Sequence, residues 1–209
     1  MPASDHLHQF PKTTMPHITR DSLMSLEAYA RERPQYRTKV MAHKKDRTLH
    51  LGEHVTLLFE DELTIRYQVQ EMLRAERIFE EEGIQEELDA YNPLIPDGAN
   101  WKATMLIEYP DVDERQRMLA RLIGIEDRVW VQVEGHARVH AIADEDLERE
   151  NADKTSAVHF LRFDLDRAMA AAVKRGARLA AGVDHPQYRV VIDDLPPAVR
   201  ASLATDLQG

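Results

Sequence analysis

The stretch from residue 54 to residue 91 constrains the fold more than any other, because it contains no proline and can form helix over most of its length. Within it, apolar side chains recur at intervals of three and four residues, the spacing of a helix that buries one broad face. The residues concerned are Ile65, Val69, Met72, Leu73, Ile78 and Phe79. The pattern predicts a central helix that is capped by Glu60 or Asp61, breaks at Gly83 and is continued by a shorter helix over residues 84–90.

Polar side chains lie beside this apolar face. Tyr67 and Glu71 are four residues apart, so they can meet on the helix surface. One interpretation is a row of surface ion pairs. The other is a partly buried Tyr67–Glu71–Arg74 network, in which Glu71 is a base or ligand and the arginines bind an anion. The candidate ligand-binding residues here are Tyr67, Gln68, Glu71, Arg74 and Arg77, joined by Tyr91 and Asn92.

A loop is predicted at residues 92–98, where the sequence is NPLIPDG. Two prolines and the Asp97-Gly98 pair do not allow a long helix there. We interpret this loop as the junction between a helical subdomain (residues 18–97) and an α+β subdomain (residues 98–209), which together form one compact domain. Residues 1–17 are polar and rich in proline, so they are predicted to be a disordered tail.

Two helices and two short strands are predicted before the central helix. Asp21 is a suitable N-cap for the first helix, which should end at Pro34 because proline lacks an amide hydrogen and clashes with the preceding turn. Pro34 can in turn open a second helix. The alternating pattern of residues 48–51 and 54–59 around Gly52 predicts two strands.

Strands and helices alternate after the loop. The predicted fold class is therefore α+β, with a helical N-terminal half followed by a mixed or antiparallel sheet that has helices on one side. Asp111 begins one helix, Asp164 or Asp166 begins an alanine-rich one, and Glu134-Gly135 marks a hairpin. The predicted strands are 102–109, 129–133, 137–143, 158–163, 177–183 and 188–192, and a short acidic helix covers 144–151.

Composition excludes several classes of protein. The chain contains no cysteine, which rules out disulfides, thiolate zinc sites and cysteine-ligated iron–sulfur clusters within it. A net charge of −10 argues against general nucleic-acid binding. No apolar run approaches the roughly 18 residues of a membrane span. With no signal-peptide pattern at residues 1–17, the expected location is the cytoplasm.

Charge is unevenly distributed along the chain. Basic residues predominate between Arg31 and Arg47, and acidic residues predominate between Glu71 and Asp89. These segments either face solvent and pair with each other, or form faces that bind a charged partner.

Known catalytic and cofactor motifs are absent. There is no G-x-G-x-x-G, phosphate-binding loop or G-x-S-x-G, so no cofactor is predicted and whether the chain is an enzyme stays open. His50 with His54, and His136 with His140, are four apart, but in extended segments this separates side chains by roughly 13 Å, too far to share a metal. No metal site is therefore predicted. His159 is either a core histidine that bonds to backbone or a further ligand-binding residue.

Several longer blocks resemble a known family. They are YQVQEMLRAERIFEEEGIQEELDAYNPLIPDGANWKATMLIEY, GIEDRVWV, ADEDLEREN, KTSAVHFLRFDLD and AAGVDHPQY. The chain resembles the uncharacterised bacterial domain-of-unknown-function family 3501 from residue 18 onward. Members tend to be encoded beside rubrerythrin-like and cysteine-rich iron–sulfur proteins, so the resemblance implies a partner role in peroxide defence or redox metabolism.

Two hypotheses about function follow. The first is a non-catalytic accessory protein in redox or peroxide-stress metabolism, which binds a rubrerythrin-like or iron–sulfur protein through its charged faces. The second is an enzyme that binds a small molecule or a phosphate-bearing ligand in a pocket between the central helix and the loop from Asn92 to Gly98. A homodimer is a further candidate assembly.

Overall fold

The computed structural model describes residues 17–145, 149 and 153–208. Within these residues it has the predicted α+β class, with six α-helices and two antiparallel sheets. The first elements are α1 (Leu26–Lys45), β1 (Thr48–Leu51), β2 (Val55–Glu60), α2 (Glu62–Glu76) and α3 (Glu81–Tyr91). They are followed by β3 (Asn100–Ile107), α4 (Val112–Arg121), β4 (Val129–Val133), β5 (Arg138–His140), β6 (Ile142–Ala143), β7 (Val158–Asp164), α5 (Arg167–Lys174), β8 (Leu179–His185), β9 (Tyr188–Ile192) and α6 (Pro197–Ala204).

The two sheets enclose the main core. One has the strand order β1-β2-β3-β7-β6 and the other β5-β4-β8-β9. Side chains from both sheets form a single apolar cluster, which includes Phe59, Trp101, Val131, Phe163 and Val183. Because β2 pairs with β3, the first sheet contains strands from both sides of the loop at residues 92–98.

The helical N-terminal half has its own smaller core. Asp61, one of the two caps that the sequence predicts, caps α2 by accepting a hydrogen bond from the amide of Thr64. The apolar face of α2 contacts α3 and the segments around it. The buried residues of this cluster are Ile18, Leu23, Ile65, Val69, Leu73, Ile84, Leu88 and Ile95. Of the apolar stripe predicted for the central helix, Ile65, Val69 and Leu73 are thus buried. Met72 and Ile78 are partly exposed, and Phe79 is 65% exposed.

The central helix ends earlier than predicted. It stops at Glu76, where Arg77 follows in the left-handed conformation with a φ of 56°, and Gly83 lies inside α3. A Cβ at Gly83 would come within 2.8 Å of Cγ2 of Ile78. Glycine therefore allows a close contact here and does not stop a helix, a distinction that sequence cannot make.

The helix break predicted at Pro34 is also wrong. Helix α1 runs without interruption through Pro34 and begins at Leu26, because the Ser25 side chain accepts a hydrogen bond from the amide of Ala28. Asp21 lies in a short 3₁₀ turn. Proline removes a backbone hydrogen bond but does not prevent a helix when packing holds it, and α1 packs along α2.

Several other predicted elements differ from the structure or lie outside the described residues. The strand predicted at residues 137–143 divides into β5, which pairs with β4, and β6, which pairs with β7 in the other sheet. Helix α6 was not predicted, although Pro197 at its first turn is a known start signal. The predicted acidic helix at 144–151 and the tail at 1–17 lie largely outside the described residues. Among the described helices, none has the length and apolar character required to traverse a bilayer.

Candidate ligand-binding site

A cavity of about 790 Å³ lies between the helices α2 and α3 and the first sheet. Along β7, Phe160 and Arg162 line it, and they alternate with His159 and Phe163, which are buried in the core. The helices and the loop at residues 92–98 form its other walls. The lining residues are Met72, Glu87, Asp89, Ala90, Tyr91, Pro93, Leu94, Lys102, Glu145, Arg149, Phe160, Leu161 and Arg162. We refer to this cavity as the helix–sheet pocket.

The pocket wall combines apolar and charged groups. Arg162 donates to both carboxylate oxygens of Glu145 at 2.8 Å and also bonds to Asp164, so its charge is already balanced. These hydrogen bonds lower the pKa of Glu145. Arg149 lies against the Phe160 ring, with its guanidinium carbon 4.6 Å from the ring centre.

Lys102 is the polar residue that most distinguishes the pocket. Its ammonium group donates to the carbonyl oxygen of Pro93, which is a neutral acceptor. Within the described residues it forms no ion pair. Burial lowers the pKa of Lys102, because the charged form loses hydration that no carboxylate replaces directly. Burial likewise raises the pKa of Glu87 on the opposite wall.

The Glu71 carboxylate, predicted to be a ligand or base, faces α1. It accepts hydrogen bonds from the Tyr29 hydroxyl at 2.6 Å and from Arg33 at 2.7 and 2.8 Å, with Arg74 at 3.4 Å. The hydrogen bonds from Arg33 lower the pKa of Glu71 to about 2. Both oxygens are thus engaged within the protein, and the group connects α1 to α2.

The other predicted site residues of α2 are dispersed. Tyr67 is buried, with its ring centre 6.2 Å from that of Tyr36, and the Lys44 ammonium lies over its ring at 5.7 Å. Gln68 is partly exposed and Arg74 is 42% exposed at its side chain. Arg77 occupies the left-handed position that ends α2.

The two predicted residues beyond α2 have different positions. Tyr91 lines the helix–sheet pocket. The amide side chain of Asn92 forms two hydrogen bonds of 2.9 Å with the backbone of Ile18, so it fixes the start of the described chain against α3. The structure therefore brings Tyr91 together with Met72 and the loop, but not with Glu71 or Arg77.

His159 belongs to a separate polar cluster inside the core. Its Nδ1 lies 2.6 Å from Oδ2 of Asp144, and its Nε2 lies 2.9 Å from Oγ1 of Thr155 and 3.8 Å from Oε2 of Glu126. One ligand atom each from Glu126, Asp144 and His159 fit within 4.8 Å of one another, so these side chains could hold a metal ion. We refer to them as the His159 cluster.

Sequence reasoning missed most of these residues. Glu126, Asp144 and Thr155 come from a 3₁₀ turn and two segments that flank strands, and no spacing in the sequence relates them. Lys102 and Arg162 are neighbours only because β3 pairs with β7, where they are register partners. Alternation along a predicted strand could have placed Lys102 on the non-core face, but not next to Arg162.

The fold and pocket define an α+β protein that has a charged, partly apolar cavity between its helices and one sheet. Comparison with known proteins identifies the group: the chain belongs to the family described as "Protein of unknown function (DUF3501)", whose model matches residues 17–207. A crystal structure of a novel protein of unknown function from Burkholderia pseudomallei K96243 is 58% identical, with a TM-score of 0.89. The match covers 92% of this chain and 100% of that one. No curated protein matches the chain.

Proposed function

We propose that the protein binds a small molecule with an apolar body and an anionic group in the helix–sheet pocket. The observation that carries the proposal is a cavity of about 790 Å³ into which Lys102 brings a positive charge. That volume lies in the range of small-molecule sites, which are mostly apolar with a few polar groups that fix orientation.

The charge of Lys102 favours an anionic ligand. Burial of an ammonium group without a carboxylate partner costs free energy, which a bound carboxylate, phosphate or sulfonate would offset. The other two cations of the wall contribute less, because Arg162 bonds to Glu145 and Asp164 and Arg149 lies near Asp144.

The apolar part of the ligand would lie against the helix side of the pocket. Met72, Tyr91 and Leu94 provide that surface, and the Phe160 ring faces it from β7. Burial of apolar area against these side chains stabilises the complex by roughly 25 cal/mol per Å². The carboxylates Glu87 and Asp89 on α3 disfavour a ligand that is negatively charged at both ends.

A pair of fluorescent probes separates the two parts of the proposal. The aromatic sulfonate 1-anilinonaphthalene-8-sulfonate is apolar and anionic, whereas N-phenyl-1-naphthylamine has nearly the same rings without the charge. We expect both to bind the folded protein. Lys102→Met should weaken binding of the sulfonate by at least about fivefold and leave the affinity for the neutral probe nearly unchanged.

Lys174→Met is the matched control, because Lys174 is an exposed lysine in the last turn of α5. It should change neither affinity. Thermal unfolding of each variant shows whether the probes report a folded pocket. Equal sulfonate affinity in the wild type and Lys102→Met, or no binding of either probe by the wild type, would contradict the proposed function.

The second candidate function is the accessory role, for which the partner would be a rubrerythrin-like or iron–sulfur protein. It is favoured by Phe79, a 65% exposed aromatic side chain that follows α2 among exposed glutamates. An exposed aromatic residue with a charged surround resembles the anchor of a protein interface. The basic face is smaller than the sequence suggests, because Arg47 is fully buried and Arg33 is bonded to Glu71.

Affinity capture from cells under peroxide stress tests this role. The wild type should retain a redox protein that Phe79→Ser loses, while Val191→Ser, at a site 53% exposed on β9, should retain it. Recovery of no redox protein by the wild type, or equal recovery by Phe79→Ser, would count against it.

A further inference from the structure

We infer that the His159 cluster, together with the adjacent residues Thr155 and Ser156, binds a divalent transition-metal ion. The ligands would be Nε2 of His159, Oε2 of Glu126, Oγ1 of Thr155 and the carbonyl oxygen of Ser156. The site lies on the core side of β7, whereas the helix–sheet pocket lies on its other side. The inference does not depend on the proposed function.

Four of the six distances between these atoms are close to those expected for coordination of one ion. From Nε2 of His159 the separations are 2.9 Å to Thr155, 3.1 Å to Ser156 and 3.8 Å to Glu126. The Thr155 hydroxyl lies 3.4 Å from the Glu126 carboxylate. Metal–ligand bonds of about 2.1 Å place neighbouring donors about 3.0–3.5 Å apart in octahedral and tetrahedral sites. Small side-chain shifts would therefore complete the site.

Asp144 is placed to orient the histidine and is not needed as a direct ligand. Its Oδ2 accepts a hydrogen bond from Nδ1 of His159 at 2.6 Å, which directs Nε2 towards Glu126 and Thr155. Metal-binding histidines almost always have such a carboxylate or carbonyl partner on their second nitrogen. Asp144 is thus a positioning residue.

The position of Asp144 is itself fixed by the backbone. Its Oδ1 accepts from the amide of Phe160 at 2.9 Å, and its own amide donates to the carbonyl oxygen of Phe160 at 2.9 Å. It adopts a left-handed φ of 49°, which non-glycine residues rarely do. Local strain that surrounding contacts maintain is concentrated at functional sites.

Burial distinguishes the cluster from an ordinary surface group of acids. His159 is fully buried, and Thr155 and Glu126 are 1% and 5% exposed. Asp144 and Ser156 are partly exposed, Asp144 at 10% of its side chain. In such surroundings solvent competes little with the ligands.

The donor set indicates which ions would bind. One imidazole nitrogen with carboxylate, hydroxyl and carbonyl oxygens suits Zn²⁺, Mn²⁺ or Fe²⁺. Mg²⁺ and Ca²⁺ prefer oxygen ligands alone, so they should bind more weakly. Copper(I) is disfavoured because it prefers thiolate or thioether ligands.

The test begins with the full chain after treatment with a chelator. After Zn²⁺ or Mn²⁺ is added back, we expect native mass spectrometry to show one tightly bound ion. Added Co²⁺ should give visible absorption bands that excess Zn²⁺ removes. Glu126→Gln preserves the side-chain shape but removes the charged ligand, so the single tight site should be lost. Asp144→Asn should weaken binding by about 10- to 100-fold, as is typical of a histidine-orienting carboxylate.

Other histidines provide the control. Residues 1–8 contain His6 and His8, which can bind Zn²⁺ weakly. Replacement of both by Asn should leave the tight site intact. Circular dichroism verifies that Glu126→Gln is folded. If that variant does not fold, the inference is tested by whether the wild type gives the Co²⁺ bands and whether Asp144→Asn reduces them. Absence of tight binding by the wild type, or equal binding by folded Glu126→Gln, would overturn the inference.

Discussion

Individual charged side chains in this protein have different roles, because the fold gives each of them different contacts. Glu71 is engaged by Tyr29 and Arg33 of α1, so it joins two helices and does not face the helix–sheet pocket. Among the residues that the structure describes, Lys102 hydrogen-bonds to a neutral acceptor alone, and it lines the pocket. At the residue scale, the free energy of ionisation of a side chain, and hence its pKa, depends on the groups that the fold places beside it.

Glu71→Gln should destabilise the protein by about 1–2 kcal/mol at neutral pH, because charge-assisted hydrogen bonds from Arg33 are weakened. The folded-state pKa of about 2 lies below the ordinary value of 4.5. The contribution is therefore complete above about 4.5 and is lost as the pH falls towards 2. Urea unfolding at pH 7, 5 and 4 measures it. Arg74→Ala, at an exposed site, should cost far less, and an equal loss in both variants would refute this account.

Lys102 should make binding of the sulfonate probe dependent on pH. Burial lowers its pKa in the free protein, and a bound anion would raise it again. Affinity should therefore be highest below the free-protein pKa of Lys102 and fall as the pH rises through it. Fluorescence titration between pH 6 and 11, within the folded range, measures this. A profile for Lys102→Met that declines like the wild type would contradict it.

At the element scale, the helix ends show which structural features can be predicted from the sequence and which cannot. The sequence predicts a cap for α2 at Glu60 or Asp61, and the structure has it at Asp61, because a side-chain cap is a local signal. The end of α2 was not predicted, because Arg77 adopts a left-handed conformation usually taken by glycine. Likewise, Pro34 lies inside α1 where local propensity predicts a break. Contacts made across the fold override local preference at both positions.

Arg77→Gly should raise the free energy of unfolding by about 0.5–1 kcal/mol, because glycine adopts the left-handed conformation without strain. Ala75→Gly, at an exposed position within α2, should instead lower it by about 1 kcal/mol. If Arg77 ends the helix as described, urea denaturation should show the free energy of unfolding rising in Arg77→Gly and falling in Ala75→Gly. Loss of stability in both would show that the Arg77 side chain makes a contact that outweighs the strain.

Pro34→Ala should stabilise α1. Pro34 is exposed, so its replacement loses little packing, and alanine restores the missing backbone donor. The gain should be at least about 1 kcal/mol, since part of the roughly 3 kcal/mol cost of a helical proline is offset by its effect on the unfolded chain. The midpoint of thermal unfolding measures it. A lower midpoint would mean that the proline is needed for the path of α1.

Arg47 connects the two ends of the described fold at the scale of the whole molecule. It is fully buried, donates to the carbonyl oxygens of Phe59 and Glu60, and bonds to Ser202 and Asp206. Nearby, the indole of Trp101 donates to the carbonyl oxygen of Leu203. Sequence reasoning placed Arg47 in a basic surface segment, because Ser202 and Asp206 lie 155 and 159 positions further along the chain.

Arg47→Met should cost about 3–5 kcal/mol, because Asp206 is left buried without its cation. The double variant Arg47→Met, Asp206→Leu should be less destabilised than the sum of the two single variants, since the charges disappear together. Chemical denaturation of the four proteins provides the comparison. Additive losses would show that the two residues act independently.

The position of α6 also bears on how the chain is made. Ribosomes release a protein from its N-terminus, and folding begins before synthesis ends. Arg47 and Trp101 therefore leave the ribosome well before Ser202, Leu203 and Asp206, which complete their hydrogen bonds. In a nascent chain halted before α6, the guanidinium of Arg47 and the indole of Trp101 lack these hydrogen-bond acceptors. The hydrogen bonds of Arg47 and Trp101 to these residues can therefore form only after α6 has left the ribosome.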